Sequence, residues 1–156
     1  MEKELTASAP FKVAEVELVY KTKVKASERP LIGSSADAAA VLQALWEKDK
    51  MELQEQFKVL MLNRANRVLC LYHVSTGGIT GTVADPRLIF TAALRVNAVA
   101  LILCHNHPSG ALTPSRADED LTAKIKGAGA LLDIKVLDHL IITSEGYYSF
   151  ADEGLL

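Results

Sequence analysis

Residues 105–118 read His105-Asn106-His107-Pro108-Ser109-Gly110-Ala111-Leu112-Thr113-Pro114-Ser115-Arg116-Ala117-Asp118. Two imidazoles, a hydroxyl and a carboxylate fall within this one stretch. The histidines end an apolar run, Val99 to Cys104, which reads as a strand. Residues i and i+2 of a strand point to the same face, so both imidazoles project together. At Zn–N distances of about 2.0–2.1 Å, two such side chains can share one metal ion. The loop that follows lets the chain turn back, and Asp118 arrives in the first turn of the next helix. A carboxylate there completes a set of two nitrogens and one oxygen. Three protein ligands leave a fourth position for water, the pattern of a catalytic rather than a structural site. Two imidazoles also favour a transition metal over Mg²⁺ or Ca²⁺.

Each residue also has a plainer reading. A histidine at a strand end is commonly a polar rim residue. Ser115 and Asp118 match a capping box, in which both side chains only start a helix. Together the residues say more. Four fixed residues at this spacing arise by chance on the order of once per thousand chains this long, if residue types are equally frequent. Open α/β sheets also bind ligands at the carboxyl ends of their strands.

The elements that must position these residues are legible. Phe11 to Val24 alternates, with Val16, Leu18 and Tyr20 on one parity and Glu15, Glu17 and Lys21 on the other, as in a half-exposed edge strand. Ser35 can cap a helix over 36–48. Phe57–Leu62 and Val68–Tyr72 read as a hairpin turning at Asn63–Asn66, and Gly77, Gly78 and Gly81 supply a loop. Asp85-Pro86 opens a helix to about Arg95. Val99–Cys104 does not alternate, as befits a central strand covered on both faces. Ser115 starts a helix to about Leu132, Ile134–Thr143 is a strand, and Tyr147–Phe150 can pair with it. The order β-α-β-β-α-β-α-β-β predicts an α/β fold, a mixed β-sheet flanked by helices.

Composition bounds the function. The chain has 156 residues, 49% hydrophobic and 23% charged, with 17 basic against 19 acidic side chains and a net charge of −2. That is one globular domain with no field to draw it onto nucleic acid or anionic lipid. Its longest apolar stretch, Ala98–Cys104, is far shorter than the ~20 residues of a membrane helix. Residues 1–10 read as a charged leader without the apolar core of a secretory signal. Cys70 and Cys104 read as buried, reduced thiols, and the expected location is the cytoplasm.

His-x-His, seven residues, then Ser-x-x-Asp resembles the signature of the JAMM/MPN metalloproteases, and the HNHPSG form is similar to the RadC family. The likeness runs on through Glu55–Asn63, Pro86-Arg87, Ala93-Leu94, Asn97-Ala98, Thr122, Val136–His139 and Ser149-Phe150, over about residues 33–156. Residues 1–32 are left as an N-terminal extension with an edge strand. They lack the helix-hairpin-helix pattern that longer RadC proteins carry.

The resemblance implies the JAMM/MPN (cytidine-deaminase-like) architecture. It implies one Zn²⁺ per chain held by His105, His107 and Asp118, with Glu55 as acid/base and Ser115 as donor to a developing oxyanion. It implies a zinc-dependent hydrolase of the metallopeptidase or isopeptidase type, acting on a peptide or protein substrate. The alternative is a RadC-type accessory protein of DNA repair, binding nucleic acid with a structural or vestigial metal site. Asp138 and His139 match a further family element and read either as a contact behind the metal ligands or as a buried polar pair, the structural reading being preferred. Cys104 should face away from His105, His73 reads as an ordinary strand residue, and Gly110 as a turn that a Cβ would hinder. The first strand offers an edge for pairing between chains, so a homo-oligomer is open.

Overall fold

The computed structural model describes residues 10–77 and 83–156. After a 3₁₀ turn at Ala26–Glu28, the elements are α1 (Ser35–Leu45), β1 (Gln56–Leu62), β2 (Val68–Thr76), α2 (Pro86–Arg95), β3 (Ala100–Asn106), α3 (Arg116–Leu131), β4 (Lys135–Ile142) and β5 (Tyr147–Ser149). They form a five-stranded sheet in the order β2-β1-β3-β4-β5. The β3–β4 pair, joined through α3, is parallel, and the other neighbours are antiparallel. This is the mixed, helix-flanked sheet that the pattern predicts.

Strands β1 and β3 are buried along their whole length. Their apolar runs do not alternate because both faces are covered. Leu60, Leu62, Ile102 and Cys104 pack with Ala38, Leu42 and Trp46 on the α1 side. Phe57, Val59, Met61, Leu101 and Leu103 pack with Ile89, Phe90 and Ile125 on the side of α2 and α3. Cys104 therefore does face away from His105. No helix among the described residues is long and apolar enough to cross a membrane.

Three expectations need correction. Residues 11–24 form no strand: apart from a single bridge residue at Ala14 they lie outside any ladder. Val16 and Leu18 are 79% and 73% exposed, and Tyr20 reaches the sheet through its hydroxyl, which donates to the Leu69 carbonyl at 3.0 Å. Alternation marks an amphipathic ribbon, but a strand also needs a partner whose backbone groups it can satisfy. The edge strands are β2 and β5, and β2 runs on to Thr76, past the expected end at Tyr72. The cap of α1 is Ser34, whose hydroxyl accepts from the Asp37 amide, and the helix stops at Leu45. Ser35 instead donates to Asp152 at 2.5 Å. Of the expected loop glycines, Gly78 and Gly81 lie outside the described residues.

Candidate metal centre

Strand β3 delivers His105 on the α3 side of the sheet, buried to 1% exposure. His107 follows just beyond the strand, where its amide donates to the Ile142 carbonyl at 3.2 Å. Its Nδ1 lies 2.7 Å from the Ala111 carbonyl oxygen. A carbonyl only accepts, so Nδ1 carries a proton, and in the neutral ring Nε2 keeps its lone pair. The turn that brings Ala111 there passes through Gly110 at φ +84°, a conformation that favours glycine.

The capping box at the start of α3 is formed in full. The Ser115 amide donates to Asp118 Oδ2 at 2.8 Å, and the Asp118 amide donates to Ser115 Oγ at 3.1 Å. Cap and metal roles are therefore not rivals. The box fixes the carboxylate so that Oδ1 stands 3.4 Å from His105 Nε2 and Oδ2 stands 3.6 Å from His107 Nε2. Ser115 uses a lone pair for the cap, which leaves its O–H proton for another acceptor.

His105 Nε2 and His107 Nε2 are 2.9 Å apart. One ligand atom from each of His105, His107 and Asp118 falls within 4.8 Å of the others, so these three could hold a metal ion. Ligand atoms about 2.0–2.1 Å from a tetrahedral ion stand about 3.3 Å apart, close to the separations here. Two imidazole nitrogens and a carboxylate oxygen turned toward one point also repel each other unless a proton or a cation lies among them. The donor set and its spacing fit a transition metal.

The electrostatics reflect this convergence. Burial alone would raise the Asp118 carboxyl, but the His105 and His107 rings beside it outweigh burial and hold the group far below the usual carboxylate range. The adjacent Asp118 carboxylate pushes His107 up, against the opposing effect of burial. Glu55 is half-buried. Burial raises its carboxyl, while His105 and His107 pull it down and Asp118 pushes it up. Glu55 therefore lies within electrostatic reach of all three. The antiparallel ladder ends with Phe57 paired to His105, two residues from Glu55 on one strand and from His107 on the other.

Asn106, between the histidines, was not singled out by its type or spacing. It points to the α1 side, fully buried, and donates to the carbonyls of Met51 and Gln54 at 2.8 Å each. Its Oδ1 accepts the Gln56 amide at 2.7 Å. It thus ties the histidine strand to the loop that presents Glu55. Asp138 is structural, as expected: it accepts from Ser149 Oγ at 2.5 Å and from the amides of His139 and Ala151. His139 instead touches the candidate centre: its Nε2 lies 2.7 Å from His105 Nδ1. His73 is exposed and bonds Thr76 at 2.8 Å, away from the centre. A cavity of about 550 Å³ lined by Lys126, Asp133, Val136 and Leu156 opens near the start of β4, at the other end of the sheet from the histidines.

A mixed sheet that carries His-x-His at the end of a central strand, faced by a capped aspartate, defines a JAB-type (JAMM/MPN) domain. A profile of the RadC-like JAB domain family matches residues 32–155, and the chain belongs to this family. It is 52% identical over 124 residues to a UPF0758 protein of Flavobacterium johnsoniae, covering 80% of this chain and 53% of the relative. Over 149 residues it is 44% identical to a UPF0758 protein of Thermosynechococcus vestitus, covering 94% of this chain and 58% of that one. Over another 149 it is 36% identical to one of Syntrophotalea carbinolica, covering 94% and 66%. The chain thus spans about half to two thirds of the length of these curated relatives.

Proposed function

We propose that this domain is a zinc-dependent hydrolase of peptide or isopeptide bonds, with Zn²⁺ held by His105, His107 and Asp118. The observation that carries the reading is the convergence of these three ligands within 4.8 Å, with Glu55 in electrostatic reach of all of them. Zinc bound there would lower the pKa of a water toward ~7 and polarise the scissile carbonyl.

The chain's own residues do the rest. Glu55, its proton affinity raised by burial, takes a proton from the attacking water and delivers it to the leaving amine. Ser115, held at the helix start by its cap, turns its free O–H proton toward the developing oxyanion. Asp118 is kept ionised by its two imidazole partners and stays oriented through the Ser115 amide. Asn106 holds the Glu55 loop against the histidine strand. The nucleic-acid reading draws on no comparable feature, since the net charge is −2.

Peptidase assays on the zinc-loaded chain test the proposal. Cleavage of a peptide or isopeptide library should be present in wild type and lost in Glu55→Gln. Cleavage undiminished in Glu55→Gln would refute the assigned role.

A further inference from the structure

Behind the metal centre runs a buried chain of hydrogen bonds that the mechanism above does not use. Thr122 Oγ1 donates to the Asp118 carbonyl at 2.7 Å, a bond back to residue i−4 of its own helix. The hydroxyl has only one proton, and the carbonyl cannot supply another. The 2.6 Å contact between Thr122 Oγ1 and His139 Nδ1 must then use the proton of His139. A neutral imidazole has one ring proton, and this contact places that of His139 at Nδ1. Its Nε2 is thereby an acceptor, and the 2.7 Å contact with His105 Nδ1 must use the proton of His105.

We propose that Thr122 and His139 act as positioning residues that set the proton order of His105, leaving its Nε2 as a bare lone pair turned toward His107 and Asp118. Direction enters at the Asp118 carbonyl and passes by way of Thr122 and His139 to His105. The same residue, Asp118, thus fixes the oxygen ligand through its side chain and the nitrogen ligand through its backbone. A histidine that binds metal through one ring nitrogen usually gives the other nitrogen's proton to a carboxylate or carbonyl. Here a second histidine takes that place, clamped by Phe150, stacked at 4.6 Å between centroids, and by Phe57, edge-on at 5.5 Å.

The proton order stands on these contacts alone, whereas its consequence for binding rests on the metal reading above. Long-range ¹H–¹⁵N spectra of the ¹⁵N-labelled, metal-stripped wild type should show His105 and His139 both protonated at Nδ1 and bare at Nε2. Protonation of His105 at Nε2 would overturn the proposal, without recourse to any variant. Zinc affinity, measured by chelator competition, should fall about 10–100-fold in Thr122→Val and His139→Phe. It should fall less in His139→Gln, which keeps one donor and one acceptor. Wild-type zinc affinity in both Thr122→Val and His139→Phe would overturn the positioning role. A wild type that takes up no zinc would instead refute the metal reading, and the spectra would still decide the proton order.

Discussion

Asn106 Oδ1 accepts the backbone N–H of Gln56 across 2.7 Å, binding the strand that carries the imidazoles to the residue next to Glu55. The amide group of Asn106 completes the clamp with two bonds to carbonyls of the preceding loop. All three partners are backbone groups, so the position of Glu55 is set by hydrogen-bond geometry rather than by the residue types in the loop.

Asn106→Ala would leave the buried Gln56 amide without this acceptor, at a cost of about 1–3 kcal/mol. Urea denaturation should show that loss, and hydrolysis should fall as Glu55 drifts from the centre. Asn106→Asp should be worse, since it sets a carboxylate oxygen against the carbonyls of Met51 and Gln54. Wild-type stability in both variants would refute the clamp.

Glu55→Gln should lower the rate of hydrolysis by about 10²–10⁴ while zinc content stays at the wild-type level. Removing a proton carrier is not removing a ligand. Zinc lost along with activity would place Glu55 in the ligand set instead.

Ser115 has two separable duties. Ser115→Ala should cost about 1 kcal/mol of stability through the lost cap, whereas Ser115→Gly should cost only a few tenths. Both variants remove the hydroxyl and should lose a factor of roughly 10²–10³ in rate. Rates that track the stability difference would reduce Ser115 to a cap.

Neither cysteine belongs to the centre. Burial raises the thiols of Cys70 and Cys104, the latter well above the usual value of 9.0. Protection of the neutral thiol is fully present below that value and is lost as pH rises through the raised one. Alkylation of the native protein should be slow at pH 8, accelerate above pH ~9, and be indifferent to zinc. Protection of either thiol by added zinc would contradict the ligand set.

The candidate metal ligands are legible because covalent spacing nearly determines them. His105 and His107 share a face by strand periodicity, and Ser115 and Asp118 share the first turn of a helix, so only the loop between had to fold back. The roles of Asn106, Thr122 and His139 are not legible, although the resemblance includes all three. Their contacts depend on how β1, β3, α3 and β4 meet. Gln56 and Asn106 are 50 residues apart, and His105 and His139 are 34 apart. The sequence misled at residues 11–24, where alternation described the side chains well but could say nothing about a backbone partner.

Metal analysis of the purified chain, loaded with zinc and then desalted, tests the central claim most directly. The account predicts one zinc per chain in the wild type and in Glu55→Gln, and none in the His105→Ala/His107→Ala double variant. A wild type that retains no zinc, or a double variant that still holds it, would contradict the assignment of His105, His107 and Asp118 as a metal centre.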